Sequence, residues 1–108
     1  MGHEVQDAVS LDMARRVAAR LNDSKEPLEL ALANLDRWTK RNSGCTTLLR
    51  CYSEWSAILS RPVDEICGVL CADTEEGRRL RQNSPFAGVL SPSEVWQIKR
   101  IHRSKHEA

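Results

Sequence analysis

The 108 residues carry 16 basic and 15 acidic side chains for a formal net charge of +1, so no global field steers nucleic acid or a membrane to the chain. A 41% hydrophobic and 29% charged composition at this length describes one helical domain, 1–108, burying roughly two-thirds of its unfolded surface. No run approaches the ~18 apolar residues of a membrane span and none reads as an export leader, so a cytoplasmic chain with no membrane contact and reduced cysteines is expected.

Taken in chain order, the signals are helical almost throughout. Residues 1–8 lack periodicity and read as a fraying end. Leu11, Ala14, Val17, Ala18 and Leu21 then recur at three- and four-residue steps, with Arg15, Arg16 and Arg20 outside the stripe. Asn22-Asp23-Ser24 ends this helix, and Ser24 is the expected N-cap of the next. That second helix places Glu26 and Glu29 at its positive end and Lys40 and Arg41 at its negative end. Pro27 falls in its first turn, where a missing N–H costs nothing. Leu28, Ala31, Leu35 and Trp38 form its inward stripe, with Leu32 beside it.

Asn42-Ser43-Gly44 stops the second helix, and a third starts near Thr46 with Leu48, Tyr52, Trp55 and Leu59 on one face. Arg61-Pro62 breaks it. Pro62 opens a short fourth helix, with Asp64 and Glu65 in its first turn and Val63, Ile66, Cys67 and Leu70 facing inward. Asp73 to Asn83 reads as a fifth, with Asp73 as N-cap and Glu76 completing a capping box. Leu80 is its only large apolar residue, and Gly77 weakens it by about 1 kcal/mol relative to Ala.

Ser84 to Leu90 is a connector, unusually apolar for one, whose Phe86 is expected to plug the last helices onto the body. Ser91-Pro92-Ser93-Glu94 carries the sharpest local signal, an N-cap serine, a proline at the first helical position and a glutamate at the third. The sixth helix is expected to bury Val95, Ile98 and Ile101 with Trp96 to one side, and to fray over 104–108. With no alternating strand pattern and no repeat, the fold class is all-α, an irregular compact bundle of five to six short helices.

The chemistry-bearing residues are few. Cys67 and Cys71 share one helix face, as do His102 and His106; facing pairs would make a Cys2His2 zinc or redox site, a weak candidate because zinc motifs place ligands on tighter loops. The histidines, His3 included, lie near the termini, and a general base needs a fixed position. Asp64-Glu65 and Glu75-Glu76 are explained by capping and the helix dipole. No phosphate loop or nucleophile motif occurs, so neither an enzyme nor a cofactor is expected.

From Thr74 to Ala108 there are seven basic and four acidic residues, net +3, against net −2 from Cys45 to Asp73. Arg78, Arg79 and Arg81, joined by Lys99, Arg100 and Arg103, would make one positive surface if the fifth and sixth helices lay side by side, an anion or nucleic-acid site. The first two helices make a poor helix-turn-helix, since the second begins with acidic residues. The reading that follows is a non-catalytic interaction module of a bacterial regulatory kind, with a protein partner or a second copy as its target. Its expected contact residues are Arg78, Arg79, Arg81, Phe86, Val89, Leu90 and Trp96; nucleic-acid binding through the basic C-terminal third is the alternative, and a Cys/His metal or redox site comes third.

Overall fold

In a computed structural model of the chain, residues 2–107 are described, with side chains from 4 to 105, and they form six α-helices and no strand. They are α1 (Gly2–Asp23), α2 (Glu26–Arg41), α3 (Thr46–Leu59), α4 (Val63–Leu70), α5 (Glu75–Arg81) and α6 (Pro92–Glu107). The all-α bundle read from the periodicity is the architecture observed. No helix among the described residues is long and apolar enough to cross a membrane.

α1 is the spine. Its 22 residues extend about 33 Å at 1.5 Å per residue, long enough for α4 and α6 to pack against different sides of it, with α2 and α5 touching it as well. α3 lies on α2 and reaches α4. Val9, Val17 and Leu21 of α1 meet Leu35, Trp55, Ile66, Leu70 and Ile98 in one apolar cluster. Ile66, Leu70 and Ile98 are fully enclosed, and each such side chain contributes about 1.5–3 kcal/mol by leaving water.

Several local expectations shift. α1 begins at Gly2, so the segment expected to fray is helical: Val5 packs on the core and Val9 belongs to it, extending the stripe by two turns. Ser24 does not cap α2; Lys25 occupies that position without a side-chain bond, and the Ser24 N–H instead donates to the Arg20 carbonyl at 3.0 Å. α5 is capped by Thr74, whose Oγ1 accepts from the Gly77 N–H at 3.0 Å, not by Asp73. The register moves one residue because the Asp73 carboxylate is turned outward to Arg78, at 3.3 Å. On α6 the inward face runs Val95, Ile98, His102, and Ile101 is 43% exposed.

The connector folds inward. Pro85 is fully enclosed, and Phe86, only 4% exposed, sets its edge against Trp55 at 6.2 Å and 82°. Trp55 is itself anchored by its Nε1–H, which donates to the Leu80 carbonyl at 2.9 Å. Asn34 on α2 fixes the connector from the other side, its Nδ2 donating to the Pro85 and Ala87 carbonyls at 2.8 and 3.0 Å. Gly88 then turns the chain with φ +93°, a conformation that favours glycine. The turn delivers the backbone to Ser91, where the capping box forms as read: the Glu94 N–H donates to Ser91 Oγ at 3.1 Å and the Ser91 N–H donates to Glu94 Oε1 at 2.9 Å.

Candidate interaction surface

The three arginines of α5 have three different fates. Arg81 points inward and is 9% exposed. Its Nη1 donates to the carbonyls of Leu70 and Ala72 at 3.0 and 2.7 Å, and its Nε donates to Ser10 Oγ at 3.0 Å. It thereby ties α5 to α1 and satisfies carbonyls that the end of α4 leaves open. Burial pulls its pKa down.

Arg79 forks onto Glu54 of α3 at 3.1 and 2.7 Å and also pairs with Glu76, contacts that raise its own pKa and lower those of both carboxylates. Arg78 lies between Asp73 and Asp7. Arg78 and Arg79 are thus committed to carboxylates within the fold, whereas Arg81 meets no carboxylate among the described residues and keeps one nitrogen, Nη2, without a partner there.

α6 presents a different surface. Inward it is latched to α1 at both ends: Glu94 takes an ion pair from Arg20, whose Nη1 also donates to the Val89 carbonyl at 2.7 Å, and His102 Nε2 meets the Asp12 carboxylate at 2.9 Å. Burial pushes the Asp12 pKa up, but the bonds to His102 and Arg16 outweigh it and leave the group lowered. Outward, Trp96, Lys99, Arg100 and Arg103 follow one another at three-, four- and seven-residue spacing on a single stripe. Lys99, Arg100 and Arg103 make no ion pair among the described residues. Trp96 is 56% exposed and forms, with Pro92, Leu90, Gly88 and Lys99, a surface hollow of about 410 Å³.

Behind that stripe lies a larger cleft of about 610 Å³, floored by α1 and the connector and walled by Arg81 and Gln82 on one side and by Val95, Lys99 and Arg103 on the other. The cleft and the hollow share Gly88, Leu90, Val95 and Lys99, so they are continuous along α6.

The chain matches no known family model, no curated protein and no solved structure.

Its functional residues are therefore those the geometry assembles. α5 and α6 each pack on α1 and not extensively on each other, so Arg78 and Arg79 stay apart from the α6 cations, and only Arg81 joins Lys99 and Arg103 around the cleft. Of the seven expected contact residues, Trp96 stands open. Phe86 and Leu90 are buried in the core, Val89 is half-buried, Arg81 is enclosed, and Arg78 and Arg79 are neutralised by carboxylates.

Cys67 and His102, the described members of the two pairs whose contacts are fixed, are not brought together. Cys67 Sγ approaches the Ala18 carbonyl at 3.7 Å, whereas His102 faces Asp12, six residues earlier on the same helix. Six residues amount to about 9 Å of rise and a third of a turn between the two approach directions, far beyond zinc–ligand distances of about 2.0–2.3 Å. No three His, Cys, Asp or Glu converge among the described residues, and the side chains of His3 and His106 lie outside them. All four cysteines are free, and burial raises the pKa of Cys67 and of Cys71, which favours thiol over thiolate. Ser10, Asp12 and Asn34 were missed as functional positions because each acts through a partner more than 50 residues away.

Proposed function

We propose that this chain is a non-catalytic interaction module that engages a protein partner through the outer stripe of α6, centred on Trp96. The observation that carries the reading is the exposure of Trp96 beside an apolar hollow, while Trp55 is fully buried and Trp38 half-buried. Tryptophan and arginine are the residues most enriched where binding energy concentrates, and an apolar anchor within a cationic rim is the usual anatomy of such a patch. The rest of the surface supports this by elimination, since the α5 cations are already paired within the fold.

Trp96→Ala is the direct test, because an exposed side chain is removed without touching the core. A central anchor of this kind is worth about 2 kcal/mol or more, a loss of roughly thirtyfold in affinity. Proteins retained from the host by the wild-type chain should be lost with Trp96→Ala and kept with Lys40→Ala on α2. If the partner is a second copy, light scattering should show a dimer that Trp96→Ala dissolves. Equal retention by all three forms refutes the reading.

Lys99, Arg100 and Arg103, which make no ion pair among the described residues, favour nucleic acid as a second reading. It requires binding that falls steeply with salt, as released counterions dictate. Reversal of Lys99 and Arg103 should then abolish binding with helicity intact. No binding to single- or double-stranded DNA or RNA at low salt refutes it.

A further inference from the structure

The cleft behind the α6 stripe raises a separate question from the partner that Trp96 meets. Its lining includes three charged residues, Arg81, Lys99 and Arg103, and all are cationic. Among the described residues the lining holds no carboxylate to oppose them. Below the cations the walls are apolar, with Val9 and Met13 of α1 facing Leu90 and Val95.

A second observation points the same way. Arg81 Nη2 is buried and has no hydrogen-bond partner among the described residues, although the Nε beside it is bonded to Ser10 and Nη1 to two carbonyls. Buried donors are nearly always satisfied, so Nη2 is the one nitrogen of this guanidinium group that the described residues leave open. Arg81 is thus a cleft residue whose bonding the fold leaves incomplete.

Size selects the kind of ligand. At about 610 Å³ the cleft falls within the ~300–1,000 Å³ of small-molecule sites. A docked helix about 10 Å across fills roughly 400 Å³ per turn, so fewer than two turns would fit. A single unbranched chain needs no such width.

We infer that the cleft binds a free single-chain aliphatic carboxylate, its tail along Val9, Met13 and Leu90 and its headgroup held by the cations of the lining. Lys99 and Arg103 supply exposed charge at the rim, and Arg81 supplies a positive field from within, where low dielectric screens it least. The site shares Lys99 and Arg103 with the outer stripe but does not include Trp96, so Trp96→Ala should abolish partner capture and leave dodecanoate binding unchanged, which separates the two readings.

Calorimetric titration with dodecanoate, kept below its micelle threshold, tests it. One saturable site is expected, with dodecan-1-ol and dodecyltrimethylammonium at least tenfold weaker. Lys99→Glu with Arg103→Glu should weaken dodecanoate at least tenfold, and Gln6→Trp, at an exposed position on the cleft wall, should block it. Circular dichroism checks that both variants keep their helicity. Equal affinity for the alcohol, insensitivity to the charge reversal, or no saturable dodecanoate binding overturns the proposal. So does binding only to anionic phospholipid vesicles, or only to a Leu/Glu amphipathic peptide, since a membrane or a helix would then be the occupant.

Discussion

Replacing Gly77 with alanine opposes two physical effects whose signs differ. Alanine is the better helix former by about 1 kcal/mol, so local propensity alone makes the variant more stable. The structure predicts the reverse. A Cβ at position 77 would sit 2.1 Å from the Ala72 carbonyl oxygen and 3.0 Å from its carbon, both backbone atoms that cannot swing aside. To relieve the overlap α5 must move away from the end of α4, at the ~1–3 kcal/mol typical of overpacking. The Ala72 oxygen also accepts from Arg81 at 2.7 Å, and losing a hydrogen bond to a buried charged group costs a further ~1.5–3 kcal/mol. Net of the propensity gain, Gly77→Ala should destabilise the protein by about 1.5–5 kcal/mol. For a chain of this size, at about 4–5 °C per kcal/mol, that is a fall in Tm of roughly 7–22 °C. Urea unfolding followed by tryptophan emission gives the number. A variant as stable as wild type, or more stable, refutes the close α4–α5 approach and with it the buried placement of Arg81.

Three further outcomes follow from individual contacts. The Asp12 carboxylate is lowered in the folded state, so its contribution is complete above the ordinary carboxylate pKa and is lost as pH falls through the folded value. Between about pH 5 and pH 3 the wild-type urea midpoint should therefore fall more steeply than that of Asp12→Asn; parallel curves would contradict the latch to His102. Asn34→Ala leaves the Pro85 and Ala87 carbonyls without their donor, costing about 1–3 kcal/mol, and amide exchange should quicken across 84–90 before the core is affected. Ser91→Ala removes half of the α6 capping box and should cost about 1 kcal/mol by thermal melting; no change would contradict the cap.

What the sequence made legible is what neighbouring residues decide. The capping box of α6 needs only Ser91 and Glu94, three positions apart, and it forms as spelled. The stripe from Ala14 to Leu21 and the face from Tyr52 to Leu59 need only the helical period, and both are in the core. Failures occur where a distant partner outranks the local signal. Gly77 reads as a weak point until the Ala72 carbonyl is seen against it. Arg81 reads as surface charge because its acceptors lie at the end of another helix. Ile101 should be inside by hydropathy, but Asp12 holds His102 against α1 and the helix rotates Ile101 toward solvent.

The outer stripe of α6 was legible in the sequence, which singles out Trp96 as a contact residue and Lys99, Arg100 and Arg103 as cations, and all four are exposed. Trp96 falls off the Val95–Ile98 stripe, a local fact, and it is exposed. The cleft needed the three-dimensional arrangement of α1, α5, the connector and α6, and no periodicity announces it. Ser10 on α1 and Gln82 just past the end of α5 border it as ordinary polar residues, and only the bond from Arg81 gives Ser10 a role.

Site-resolved photocrosslinking in the native host tests the central claim most directly. A photoreactive residue at position 96 should capture one discrete partner, and the same residue at position 40, on the exposed end of α2, should capture none. No adduct at 96, or the same adducts from both positions, would contradict the account.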